Sequence, residues 1–126
     1  FIMDSLPKSE MPMILAAADM ATSLFIDLPE MRANSANKFF DSLASGTPLA
    51  INYQGWQAEL LAESGAGIVL DAHDTGAAAR LLCRSLQDRT WLEEAGQAAR
   101  KLAETKFSRD QLSRQLEAIL LQAAEG

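Results

Sequence analysis

The sequence predicts an α/β fold: a parallel, Rossmann-like sheet with helices on its flanks. Three observations lead there. Short apolar runs at residues 20–25, 48–52 and 68–70 are bounded by turn residues, the pattern of strands buried on both faces. The segments between them carry apolar residues at helical spacing. The resulting alternation of strand and helix is that of βαβ units. From about residue 74 to 126 the pattern is helical throughout, and the 126 residues suffice for one core and are too few for two.

In chain order, Phe1-Ile2-Met3 has the character of a strand end. Ser9 is placed to cap a first helix with Pro12 tolerated in its opening turn, and Met13, Ile14, Ala17 and Ala18 form its apolar face. Asp19 leads into the first buried strand, residues 20–25. Residues 26–33, with Pro29 and several charges, form a loop beyond the carboxyl end of that strand, where Ile26 and Met31 are placed either to cover a ligand or to pack over the sheet edge.

The next stretch, residues 34–60, organises the chain. Asn34, Ser35 and Asn37 can each accept from the free N–H groups of a first helical turn. Lys38 lies at the same end, unfavourable to the helix dipole unless an anion is near. Phe39, Phe40, Leu43 and Ala44 give this helix its apolar face, Asp41 interrupts it, and Gly46 is placed to end it. Pro48 opens the second strand, as a strand's first residue can. Tyr53-Gln54-Gly55 is a turn, and Gly55 either allows close backbone approach to a ligand or simply makes the turn. A helix over residues 56–64 turns Trp56, Leu60 and Leu61 to one side, and Gly65-Ala66-Gly67 closes it before the third strand.

Asp74 caps a helix with Ala78, Leu81, Leu82, Ser85 and Leu86 on one face. Asp88 caps another, from Arg89 to about residue 105, with Trp91, Leu92, Ala95 and Leu102 inward. Ser108 with Gln111 has capping-box spacing for a last helix striped by Leu112, Leu116, Ile119 and Leu120. The single Cys83 cannot form an internal disulfide and, on an apolar helix, is expected to be a reduced core thiol. His73, the only histidine, receives no role.

Hydrophobic content of 48% is ordinary for a globular protein, and no apolar run has the length of a membrane span. With 11 Lys plus Arg against 17 Asp plus Glu, the net charge of −6 opposes a nucleic-acid surface. It leaves room for a nucleotide-sugar, which needs only local donors. No metal-ligand cluster or dinucleotide-type glycine loop is present in the sequence.

The run SANKFFDSLASGTPLAINYQGWQAELLAESGAGIVL resembles the C-terminal, donor-nucleotide-binding domain of GT-B glycosyltransferases, which have two Rossmann domains. The subgroup is the retaining, family-four-like one of bacterial surface-polysaccharide synthesis. Asp41-Ser42-Leu43-Ala44-Ser45-Gly46-Thr47-Pro48-Leu49 matches the family's Glu-Ala-Met-Ala-x-Gly-x-Pro-Val pattern, with aspartate in place of glutamate. The family's carboxylate holds the donor ribose, so the resemblance gives that role to Asp41. Asn37-Lys38 matches a subgroup whose loop and helix start face the donor diphosphate. Ser35, Asn37, Lys38 and Asp41 are therefore the donor-binding candidates, with Gly55 a fifth.

The resemblance spans about residues 1–107, with two departures. The family's second acid, eight positions before the helix carboxylate, falls on Ala33, and Glu30 is out of register. The basic residues of the first strand–helix unit should precede Phe1.

The resemblance thus implies an incomplete GT-B C-terminal domain that binds a nucleotide-sugar donor, most readily a UDP-sugar, without metal or other cofactor. No catalytic residue is assigned, and no transfer is expected without the N-terminal acceptor domain. It also implies a cytoplasmic enzyme, at the inner membrane surface when full-length, and self-association of this piece through an uncovered sheet edge. The alternatives are a nucleotide-sugar epimerase of the same architecture and a non-catalytic Rossmann-like binding or assembly module.

Overall fold

The structure, a computed structural model, describes residues 6–125. The strand end expected at Phe1-Ile2-Met3 lies outside them. Helix α1 (Met11–Ala17) leads to β1 (Ala21–Ser23), a 3-10 turn (Pro29–Ala33), α2 (Asn37–Ala44), β2 (Leu49–Ile51), α3 (Trp56–Ser64) and β3 (Gly67–Val69). Three further helices follow: α4 (Thr75–Gln87), α5 (Arg89–Lys106) and α6 (Arg109–Glu125). The strands form a parallel three-stranded sheet in the order β1-β2-β3, flanked by helices, as the alternation requires.

The first two strands are shorter than the apolar runs that announce them. Beyond Ser23 the ladder passes to a side chain: the Phe25 N–H donates to Asn52 Oδ1 at 2.9 Å, and Asn52 Nδ2 donates to the Phe25 carbonyl at 2.8 Å. One amide thus satisfies the backbone groups that a longer strand pair would have joined. Leu24 and Ile26, freed from the sheet, are exposed, so Ile26 does not pack over its edge.

The core lies between the sheet and the helices α2, α3 and α5. Phe39, Leu43, Leu49, Ile51 and Leu61 are completely buried, each stabilising the fold by roughly 1.5–3 kcal/mol. Helix α2 ends in a Schellman turn: the Gly46 N–H donates to the Leu43 carbonyl and the Thr47 N–H to the Ser42 carbonyl, both at 3.0 Å. Helix α5 crosses that turn closely, since a Cβ on Gly96 would lie 2.8 Å from the Gly46 carbonyl oxygen. Asp74 and Asp88 cap α4 and α5 as expected, accepting from the N–H groups of Ala77 at 2.8 Å and Trp91 at 2.9 Å.

Other expectations need correction. Ser9 does not cap α1; Glu10 occupies that position without a side-chain cap, because residues 7–10 turn into the helix through the Glu10 N–H to Pro7 carbonyl bond. The outer face of α1 is bare, with Met13 70% exposed. Helix α1 packs against α2, and Thr47 ties it down, its Oγ1 donating to the Leu15 carbonyl at 2.6 Å. Cys83 is exposed rather than in the core, because α4 turns inward only the stripe from Ala78 through Leu81 and Leu82 to buried Ser85. Helix α6 forms, but its apolar stripe is uncovered, with Ile119 61% exposed.

Candidate functional site

In a βαβ crossover the helix runs antiparallel to the strands it joins. The start of α2, the turn before α3 and the loop after β3 therefore gather at the carboxyl end of the sheet, the edge where open α/β sheets bind ligands. Ser35, Asn37, Lys38 and Gly55 share that edge. The expected polar caps of α2 are absent: Ala36 stands at the N-cap with no side-chain bond. Asn34 instead closes a local turn, accepting from the Ala36 N–H at 3.2 Å while its amide donates to the Met31 carbonyl. The first N–H groups of α2 have no side-chain cap.

Burial of Phe39, Ser42 and Leu43 fixes the rotation of α2. At 3.6 residues per turn it brings Asn37, Asp41 and Ala44 to the outer surface on one stripe. That stripe is one wall of a groove of about 740 Å³. Arg100, Ala103, Glu104 and Phe107 of α5 form the opposite wall. The remaining boundary comes from Lys8 and from Ser108, Arg109 and Leu112 at the start of α6. On the other side of Asp41 is a smaller, mainly apolar cleft of about 120 Å³, lined by Met11, Pro12 and Leu15. Asp41 thus stands on a ridge between a charged groove and an apolar one. Lys38 is exposed and about 100° further round the helix from Asn37, and it lines neither; nor does Ser35.

Not all charges in the groove are free. Arg100 Nε donates to Glu104 Oε1 and its Nη1 to the Ala44 carbonyl, each at 2.6 Å, so the guanidinium closes the carbonyl end of α2 and neutralises Glu104. Among the described residues, the side chains of Lys8, Asp41 and Arg109 make no ion pair. The sequence reading missed Lys8, Arg100, Glu104 and Arg109. Only the i,i+4 spacing of Arg100 and Glu104 was a local signal.

Gly55 does approach a backbone closely, but it is the chain's own. Its φ is +110°, and a Cβ there would lie 2.3 Å from the Arg32 carbonyl oxygen. The adjacent Trp56 Nε1–H donates to the Asn34 carbonyl at 3.2 Å. Gly55 and Trp56 therefore hold the segment before α2 against the start of α3.

A second contact spans the carboxyl edge. His73, after β3, meets Asp27, after β1, with Nε2 and Oδ2 2.9 Å apart. The side chains are 81% and 45% exposed, so the pair contributes little, on the order of 0–1 kcal/mol. Asp71 shapes the His73 loop by accepting from the N–H groups of His73 at 2.8 Å and Asp74 at 3.0 Å. Those two bonds, led by His73, hold its carboxyl below the usual aspartate range.

No group of three or more His, Cys, Asp or Glu side chains suited to a metal ion converges among the described residues. Nor is any helix among them long and apolar enough to cross a membrane. Comparison with models of known protein families and with characterised proteins returns no match.

Proposed function

We propose that this chain is the donor-binding part of a glycosyltransferase, an incomplete GT-B C-terminal domain that holds a nucleotide-sugar, most readily a UDP-sugar, beside α2. The observation that carries this reading is Asp41. It is a carboxylate on the outer face of α2, one turn from Asn37 at the ligand-binding edge of the sheet, without an ion-pair partner among the described residues and between two clefts. A carboxylate in that position can accept from both vicinal ribose hydroxyls. The parallel sheet and the motif around Asp41 support the same reading. An acceptor-binding half completes the transferase, which serves polysaccharide or glycoconjugate synthesis on the cytoplasmic side of the membrane.

Donor binding to Asp41→Asn tests it. The substitution keeps the shape and removes the charge, and charge-assisted bonds of this kind contribute roughly 1.5–3 kcal/mol. Donor affinity should fall about tenfold or more, while thermal stability changes little because the side chain is exposed. A 2′-deoxyribose donor should bind wild type and variant nearly alike. The same affinities should hold with magnesium and with a chelator. Unchanged donor affinity in Asp41→Asn would return the residue to an ordinary solvated helix position.

A further inference from the structure

The chain carries a net charge of −6, yet the groove beside Asp41 gathers three cations, Lys8, Arg100 and Arg109. Arg100 is already committed to Glu104 and the Ala44 carbonyl. Lys8 and Arg109 remain, one before α1 and the other in the first turn of α6, and neither has an ion-pair partner among the described residues. Arg109 gains nothing from the α6 dipole, since a cation in a first helical turn is unfavourable. Two cations and one carboxylate that share a groove and have no ion-pair partner among the described residues suit a ligand that offers hydroxyls to the carboxylate and negative charge to the cations. Lys38, the cation of the matching motif, lines neither cleft.

We infer that Lys8 and Arg109, not Lys38, meet the phosphate groups of the ligand whose hydroxyls Asp41 accepts. The ligand class is a ribonucleoside diphosphate or its sugar ester, with the phosphates directed along the groove toward α6. This assignment rests on the nucleotide-sugar reading and adds to it the cations that hold the diphosphate. A lysine can follow a phosphate as a mobile point charge, whereas the guanidinium can bind two of its oxygens at once. Both residues are exposed, so their contribution should weaken as salt is raised.

The test is an NMR titration of the 126-residue chain and its variants with uridine, UMP, UDP and inorganic pyrophosphate. Lys8→Ala and Arg109→Ala should each weaken UDP about tenfold and leave uridine unchanged, with pyrophosphate shifting the amides flanking Lys8 and Arg109 in wild type only. Lys38→Ala should bind UDP as wild type does. If Asp41→Asn weakens uridine and UDP while Lys8→Ala and Arg109→Ala leave the UDP-to-uridine ratio unchanged, the assignment is overturned and the nucleotide reading stands. Loss of UDP binding in Lys38→Ala alone would overturn it in the same way. Absence of any binding of uridine, UMP or UDP by wild type up to about 10 mM, an affinity weaker than roughly −3 kcal/mol, would remove both.

Discussion

Gly55→Ala should be among the most damaging single substitutions in this chain. With φ +110° and ψ −165°, Gly55 lies in a region that essentially only glycine occupies, which costs another residue about 1–3 kcal/mol. A methyl group would also lie 2.3 Å from the Arg32 carbonyl oxygen and 3.1 Å from its carbon, so backbone must move by close to an ångström. The segment that has to yield carries the Asn34 carbonyl, which accepts from the Trp56 indole, a bond contributing about 0.5–1.5 kcal/mol. Together these give a loss of roughly 3 kcal/mol. For a chain of this length that is a fall in Tm of about 10–15 °C.

Gly65→Ala is the internal comparison. Gly65 is also left-handed, at φ +73°, but an added Cβ would meet nothing within 4 Å, so only the left-handed cost of about 1–2 kcal/mol applies. Thermal and urea unfolding of the two variants, followed by circular dichroism, separate conformational strain from collision. A Gly55→Ala protein no less stable than Gly65→Ala would refute the close approach to Arg32, and with it the account of how the segment before α2 is held.

Three further outcomes are expected. Tyr53 donates to Gln57 Oε1 at 2.5 Å while Gln57 Nε2, in a side chain almost wholly buried, has no partner among the described residues; Tyr53→Phe should therefore cost about 1–3 kcal/mol, and replacing both partners, Tyr53→Phe with Gln57→Leu, should be closer to neutral in urea unfolding. The folded-state pKa of Asp71 is depressed, so its stabilisation of the His73 loop is present above the unfolded value near 3.9 and is lost as pH falls through the lower folded one. The protection factors of the His73 and Asp74 amides should accordingly fall below about pH 4, a pH-linked loss that Asp71→Asn, which cannot titrate there, should lack. The outer edge of β1 is small and uncharged (Ala21-Thr22-Ser23) and continues into exposed Leu24 and Ile26; sedimentation should show concentration-dependent association that Thr22→Lys reduces, and a monomer at every concentration would exclude edge pairing.

What the sequence could disclose was governed by how local each cause is. Asp74 and Asp88 were legible as caps because a carboxylate and the N–H three residues on are all that the bond requires. The bounds of α3 were legible because Gly55 and Gly65 mark its two ends. The strand lengths were not, since the Asn52 amide that replaces the β1–β2 ladder comes from residues far from Phe25. Cys83 was misjudged because an apolar helix need not bury every apolar position, and α4 has only one packed stripe. The candidate site divides in the same way. Asn37 and Asp41 share a helical stripe readable from their spacing of four, whereas Lys8 and Arg109 reach the groove from opposite ends of the chain. At Gly55 the sequence leaves a close approach and a simple turn equally open, and only the fold shows an approach, to Arg32.

The apolar stripe of α6 is exposed among the described residues, and a helix without a packed stripe can swing unless its start is held. The junction before it holds that start. Phe107, the residue at the carboxyl end of α5, packs edge-on against Phe40 with ring centroids 5.0 Å apart and against Trp56 at 6.5 Å. Trp56 in turn contacts Phe39, a completely buried core residue, at 5.7 Å. Aromatic pairs of this geometry add about 0.5–1.5 kcal/mol each beyond the area they bury. The start of α6 is therefore pinned to the face of α2 by contacts within the described core, whatever covers the rest of the helix. Arg109 follows Phe107 by two residues, and Leu112 lies within the first turn, so both remain part of the groove wall. The distal stripe from Leu116 to Leu121 is free to meet a partner without dismantling the charged surface around Asp41.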